Sequence, residues 1–203
     1  MNVLFLDVDQ EFETAFEAAI QRRASREPLQ HIVGAAPFGP LTLRVGPGVF
    51  IPRPETEVLA DWAVKTLQQS ATSQAPTVVD LGTGSGALAL YIANAVPCAE
   101  VIAVERSESA REYAQRNRDE LGLNVRIVEG DMTDHNLLST LHGTVDMVVS
   151  NPPYVPNTEG LDPEVYVDPP EAVFSGDDGM DAIRGLVPVA AALLKQGGVF
   201  AVE

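Results

Sequence analysis

From residue 77 onward the apolar positions fall into a repeating rhythm. Short runs rich in valine and other apolar residues, at 77–81, 101–104, 125–128 and 145–149, have the length and β-branched content of buried strands. Between them lie segments with helical spacing, predicted as helices over 87–95, 108–121 and 136–141. A further helix is predicted over 180–195, leading into a fifth strand at 199–202. Strands that alternate with helices imply right-handed crossovers and a doubly wound, mostly parallel α/β sheet.

The N-terminal part reads differently. Phe12, Phe16, Ala19 and Ile20 fit one face of an amphipathic helix over 9–26, whose last turn carries Arg22, Arg23 and Arg26, the favourable sign at a helix C-terminus. Pro28 stops it. Residues 31–54 are crowded with glycine and proline around the alternating Leu41, Leu43 and Val45, the pattern of a β-hairpin-like connector. A helix over 55–68 puts Leu59, Trp62, Ala63 and Leu67 on one face, with Trp62 expected in the core. Segments 69–76 and 152–178 are expected to be loops, the second Pro-rich and acidic.

In sheets of this kind ligands bind beyond the carboxyl ends of the strands. The strand at 77–81 runs into Gly82-Thr83-Gly84-Ser85-Gly86, where the backbone can turn sharply and approach a ligand, and where a helix start offers free N–H groups. Ala87 keeps a dinucleotide-binding reading open. Asp80 weighs against it, since a carboxylate ahead of the glycine turn repels a pyrophosphate but suits the ammonium of an amino-acid-bearing cofactor. Glu105 ends the next strand, placed to accept both hydroxyls of a ribose. Asp131 follows the third, with Met132 able to cover an adenine face. The fourth ends in Asn151-Pro152-Pro153-Tyr154, the most specific signal in the chain. Its prolines make a rigid loop without N–H groups. The Asn151 side-chain oxygen and the Pro152 carbonyl can accept both hydrogens of a substrate NH2, which leaves the nitrogen lone pair facing an electrophile. Tyr154 can pack on the substrate plane and lend its ring face to a sulfonium.

Composition narrows the setting. The 203 residues suffice for one sizeable core, and 13 Lys and Arg against 29 Asp and Glu give a net charge of −16. That charge argues against tight binding to bare nucleic acid, whose affinity comes mostly from cationic side chains. The apolar run at 186–194 is about half of the roughly 20 residues a membrane span needs and contains Pro188. The N-terminus lacks a basic region before its apolar stretch, so no secretory signal is read and a cytoplasmic location is expected. Cys98, the sole cysteine, is expected to be an inert packed thiol. His31, His135 and His142 share no ligand spacing, and no metal site is expected.

Taken together, these motifs resemble the class I S-adenosylmethionine-dependent methyltransferases, and within them the release-factor glutamine N5-methyltransferases, the PrmC/HemK family. The resemblance rests on residues 26–32, on 48–57 with its Pro-Arg-Pro-Glu-Thr-Glu stretch, on the loop at 80–86 and on 151–154. It implies a Rossmann-like fold preceded by a remnant of a helical domain at 1–27 and a connector at 28–54, with the methyltransferase domain at 55–203. It implies S-adenosyl-L-methionine as methyl donor, held by Asp80, Gly82, Thr83, Gly84, Gly86, Glu105, Asp131, Met132 and Asn151. It implies a glutamine amide acceptor in the Gly-Gly-Gln loop of a peptide-chain release factor, bound by Phe50, Arg53, Asn151, Pro152, Pro153 and Tyr154, with Asn151, Pro152 and Tyr154 at the chemistry. Neither nucleic acid nor membrane is an expected partner. Asp168-Pro169 stands where family members commonly have Glu-Pro, and against the family's usual length the chain reads as shortened at both ends. The Asn-Pro-Pro-Tyr motif is shared with adenine-N6 and guanine-N2 methyltransferases. A nucleic-acid N-methyltransferase is therefore one alternative, and an inactive cofactor-binding fragment another.

Overall fold

The computed structural model describes residues 10–70 and 75–203 of the chain. Its centre is a five-stranded parallel sheet built from β3 (Thr77–Leu81), β4 (Glu100–Glu105), β5 (Val125–Glu129), β6 (Val145–Ser150) and β7 (Leu194–Val202), in the spatial order β5-β4-β3-β6-β7. The order reverses between β3 and β6, so the loops leaving these two adjacent strands diverge and open a crevice. The glycine-rich turn follows one of them and the Asn-Pro-Pro-Tyr loop the other.

Side-chain alternation sorts the strand residues between two cores. Val78, Val101, Ala103, Met147 and Val149 face one apolar layer, whereas Val79, Leu81, Ile102, Val104, Val145 and Val148 face the other. The first layer is covered by α3 (Thr56–Gln69) and α4 (Ala87–Ala95), and α5 (Glu108–Leu121) packs against β4 and β5. The second is covered by α7 (Asp181–Leu193), through Leu186, Val189, Ala190 and Leu193. The ends of α5 follow from its sequence. Ser107 caps its start by accepting from the Ala110 N–H, and Gly122 closes it at φ +64°.

Ahead of the sheet lie α1 (Gln10–Ala24), a one-turn α2 (Leu29–Val33) that was not foreseen, and a hairpin of β1 (Ala35–Phe38) and β2 (Leu41–Arg44). Asp9, the expected first residue of α1, and part of the expected loop at 69–76 lie outside the described residues. The hairpin is fastened to the sheet layer. Phe38 meets Tyr91 edge to face at 5.7 Å. Asn117 of α5, 1% exposed, accepts from the Arg44 N–H at 2.6 Å and donates to the carbonyls of Arg44 and Ser85. One polar side chain thus ties the connector to the glycine turn.

Several expectations are corrected. Trp62 is 43% exposed because the buried stripe of α3 is Thr56, Ala60, Ala63, Val64 and Leu67, which leaves Trp62 off the packed face. Cys98 is exposed, at the tip of a turn that buries Val96 and Ala99 instead. The helix expected over 136–141 is only a 3-10 turn, Ser139–Leu141, because Leu138 adopts a left-handed φ of +49°. The loop at 152–178 contains a 3-10 turn, Pro163–Val167, and the short α6 (Pro170–Val173). β7 begins directly after α7, five residues earlier than expected, since Leu194 pairs with Val145 before an irregularity resets the register at Met147 and Val199. On α1, Phe12 stacks with Phe16 at 6.1 Å, and Phe12, Phe16 and Ile20 are each about half exposed.

Candidate active site

The crevice at the switch point is a cleft open to solvent. Its two halves come from different parts of the chain. One half is formed by the strand ends: Asp80, the turn from Gly82 to Ser85, Glu105 and Met132. The other is formed by Phe50, Thr56, Asn151, Pro152, Pro153 and the start of α6.

In the first half Asp80 is fully buried. Its Oδ2 accepts from the Thr83 hydroxyl at 2.5 Å and from the Ala89 N–H at 3.2 Å, which holds the glycine turn against the start of α4. Its Oδ1 is buried with no hydrogen-bond partner, on the wall of the cleft. An orphaned carboxylate oxygen of this kind is costly unless a donor arrives. Burial pushes the Asp80 carboxyl up to about 7; the Thr83 and Ala89 hydrogen bonds oppose the rise and the charge of Glu105 adds to it. Glu105 accepts from the N–H groups of Gly84 and Ser107, both at 2.9 Å. Gly84 lies at φ +58°, and a Cβ there would meet nothing within 4 Å, so the backbone faces open cleft.

In the second half Asn151 donates from Nδ2 to the Thr56 hydroxyl at 2.9 Å. With Nδ2 turned to Thr56, Oδ1 is the end left to accept from a ligand. Ser150 donates to the Leu81 carbonyl at 2.6 Å, tying the ends of β6 and β3 together. Phe50 lines the cleft, with the Arg53 guanidinium 4.8 Å above its ring. Arg53 in turn pairs with the buried Asp168 at 2.5 Å.

The structure brings most of the expected residues together. Asp80, Gly82, Thr83, Gly84, Glu105, Met132, Phe50, Asn151, Pro152 and Pro153 all line the cleft. Asp131, Gly86, Arg53 and Tyr154 do not. Asp131 accepts from the N–H and hydroxyl of Thr133 and faces Arg106, which hold its carboxyl below the usual range despite partial burial. Gly86, at φ +90°, shapes the turn into α4, where a Cβ would strike Leu90 at 2.8 Å. Tyr154 is half-exposed, and its neighbour Val155 bridges to Phe174. Thr56 and Glu171 were not singled out in the sequence. Thr56 lies inside the distinctive 48–57 stretch and could have been suspected; nothing in the pattern marks Glu171. Among the described residues no cluster of His, Cys, Asp and Glu could hold a metal ion, and no helix is long and apolar enough to cross a membrane.

Strand order, glycine turn and cleft define the class I methyltransferase fold. Two solved structures share it: a SAM-dependent methyltransferase from Agrobacterium tumefaciens (TM-score 0.54, 19% identity, 80% of this chain and 48% of that one) and a ribosomal protein L11 methylase from Lactobacillus delbrueckii subsp. bulgaricus (TM-score 0.51, 21% identity, 79% and 65%). Residues 41–166 match the methyltransferase small domain, and residues 5–34 match the PrmC N-terminal domain. The release factor glutamine methyltransferase of Corynebacterium glutamicum is 58% identical over 95% of this chain and 68% of its own length. That of Mycolicibacterium smegmatis is 54% identical over 97% and 68%. The chain belongs to the release factor glutamine methyltransferase family.

Proposed function

We propose that this chain transfers a methyl group from S-adenosyl-L-methionine to the side-chain amide nitrogen of the glutamine in the Gly-Gly-Gln loop of a peptide-chain release factor. The observation that carries the reading is the position of Asn151, lining the cleft with its Nδ2 turned to the Thr56 hydroxyl. The family supports the acceptor, and the strand-end half of the cleft supports the cofactor. The orphaned Oδ1 of Asp80 suits an ammonium, Glu105 suits a ribose diol, and the open face of Gly84 allows close approach. When bound, the cofactor supplies an electrophilic methyl on a sulfonium.

An amide nitrogen is a weak nucleophile because its lone pair is delocalised, so the work of this chain is positioning. Asn151 Oδ1 and the Pro152 carbonyl accept the two amide hydrogens and fix the nitrogen's direction. Orientation of this kind contributes up to roughly 7–11 kcal/mol in favourable cases. The same acceptors strengthen as positive charge builds on the nitrogen, so they favour the transition state over the ground state. Phe50 and the prolines give the acceptor half apolar walls. The nucleic-acid alternative is not favoured, given the family and the net charge of −16. The inactive-fragment alternative is likewise not favoured.

The test is mass spectrometry of a release factor incubated with the chain and S-adenosyl-L-methionine. A gain of one methyl on the Gly-Gly-Gln peptide is expected. Asn151→Ala should abolish it while cofactor affinity stays within about threefold, less than 1 kcal/mol. Unmodified peptide with the wild-type chain overturns the proposal.

A further inference from the structure

We infer that Asp168 is a positioning residue for the acceptor half of the cleft, acting through Phe50. The inference rests on the proposed reaction for its meaning but on separate contacts for its geometry. Asp168 ends the 3-10 turn Pro163–Val167 and is 2% exposed. Its Oδ1 accepts from the Ile51 N–H at 3.2 Å, and its Oδ2 pairs with the Arg53 guanidinium at 2.5 Å. Ile51 directly follows Phe50, and Pro52 lies between the two partners; Phe50 and Pro52 both line the cleft, and Arg53 also covers the Phe50 ring. On the other side, the next residue, Pro169, lines the cleft with Glu171 and Ala172.

One carboxylate therefore clamps two loops more than a hundred residues apart in sequence, and the acceptor wall lies where they meet. Burying a carboxylate costs free energy that a single partly exposed arginine rarely recovers, so such a pair is weak evidence for stability. What it delivers is geometry. Its fork fixes the backbone at Ile51 and the guanidinium at Arg53 together, so the Phe50 ring, one residue before Ile51 and beneath the guanidinium, is held from both sides. Burial pushes the Asp168 carboxyl up, while Arg53 and the Ile51 N–H pull it back. His31, 7% exposed with its Nε2 unpartnered, lies near enough for its charge and that of Asp168 to act on each other.

The experiment compares the wild-type chain with Asp168→Ala, Asp168→Asn and Asp168→Glu by amide hydrogen exchange and by methyl-transfer kinetics on a release factor. Asp168→Ala should speed exchange at least tenfold in a peptide spanning 48–57 while a peptide spanning 101–104 stays unchanged. Asp168→Asn should lower kcat/KM for the release factor about tenfold, mostly through KM, with cofactor affinity within twofold. Asp168→Glu, which keeps the charge, should restore at least half of the loss. Unchanged exchange over 48–57 overturns the clamp. Faster exchange with kcat/KM intact overturns its role in the reaction, as does an equal loss of cofactor affinity. A wild-type chain that methylates no release factor defeats the proposed reaction instead, and the exchange result still decides whether Asp168 holds the wall.

Discussion

Cofactor binding should expel a proton from Asp80. The carboxyl is fully buried, its pKa is raised to about 7 mainly by burial, and its Oδ1 waits on the cleft wall without a donor. At neutral pH about half of the free chains hold this group protonated. An ammonium seated against Oδ1 favours the carboxylate, so binding must release the proton that the free protein kept. Below pH 7 the affinity should fall with a slope approaching tenfold per pH unit, about fiftyfold or roughly 2.3 kcal/mol between pH 7 and pH 5. Above about pH 7.8 the ligand's own amino group loses its charge, so affinity should peak in the narrow range between.

Calorimetry in two buffers of different ionisation enthalpy measures the proton directly. At pH 6.5 about 0.8 proton should leave per cofactor bound, from a group with a pKa of about 7. Asp80→Asn, which keeps an acceptor for Thr83, should bind more weakly, release no proton and show no slope from pH 5 to 7. The same shift has a consequence for the free protein. A carboxyl whose folded pKa lies above its unfolded one stabilises the fold at low pH and loses that contribution as pH rises through the folded value. Relative to Asp80→Asn, the wild-type chain should therefore lose stability between pH 4 and 7, by up to about 4 kcal/mol. A flat affinity from pH 5 to 7, or equal proton release in the variant, refutes the reasoning.

Thr56→Val keeps the shape of the side chain but removes the acceptor for Asn151. Steady-state kinetics should show kcat reduced about tenfold, near 1.4 kcal/mol, with Thr56→Ser recovering most of it. Asn117→Ala strands the Arg44 N–H and the carbonyls of Arg44 and Ser85, so urea unfolding should report a loss of about 2–4 kcal/mol. Arg23 and Arg26 of the α1 region meet Glu164 and Asp162 on the acidic loop at 2.7–3.3 Å, all partly exposed. Arg26→Glu should lower the midpoint of a thermal melt only slightly, and the difference from wild type should vanish in high salt.

The strands, their parallel pairing and the three loops that carry chemistry were legible because each rests on local pattern. Valine-rich runs, glycine at a positive-φ turn and two consecutive prolines declare themselves within a few residues. Trp62 shows where such reading stops. Helical spacing alone allowed it into the core, but the packing of α3 selected the alanine stripe and turned the ring outward. The 136–141 segment has the apolar residues of a helix, yet the second core takes Leu137 and the chain bends at Leu138.

The sequence by itself determined the fold class and nominated Asp80, Glu105 and Asn151, since strand ends are marked by where apolar runs break. Only the tertiary structure showed that Asp131 and Tyr154 are not among the residues lining the cleft, that Thr56 accepts a hydrogen bond from Asn151, and that Asn117 and Asp168 join segments distant in the chain. A hydrogen bond across such a distance leaves no period in the sequence. It exists only once the sheet has brought both partners within reach.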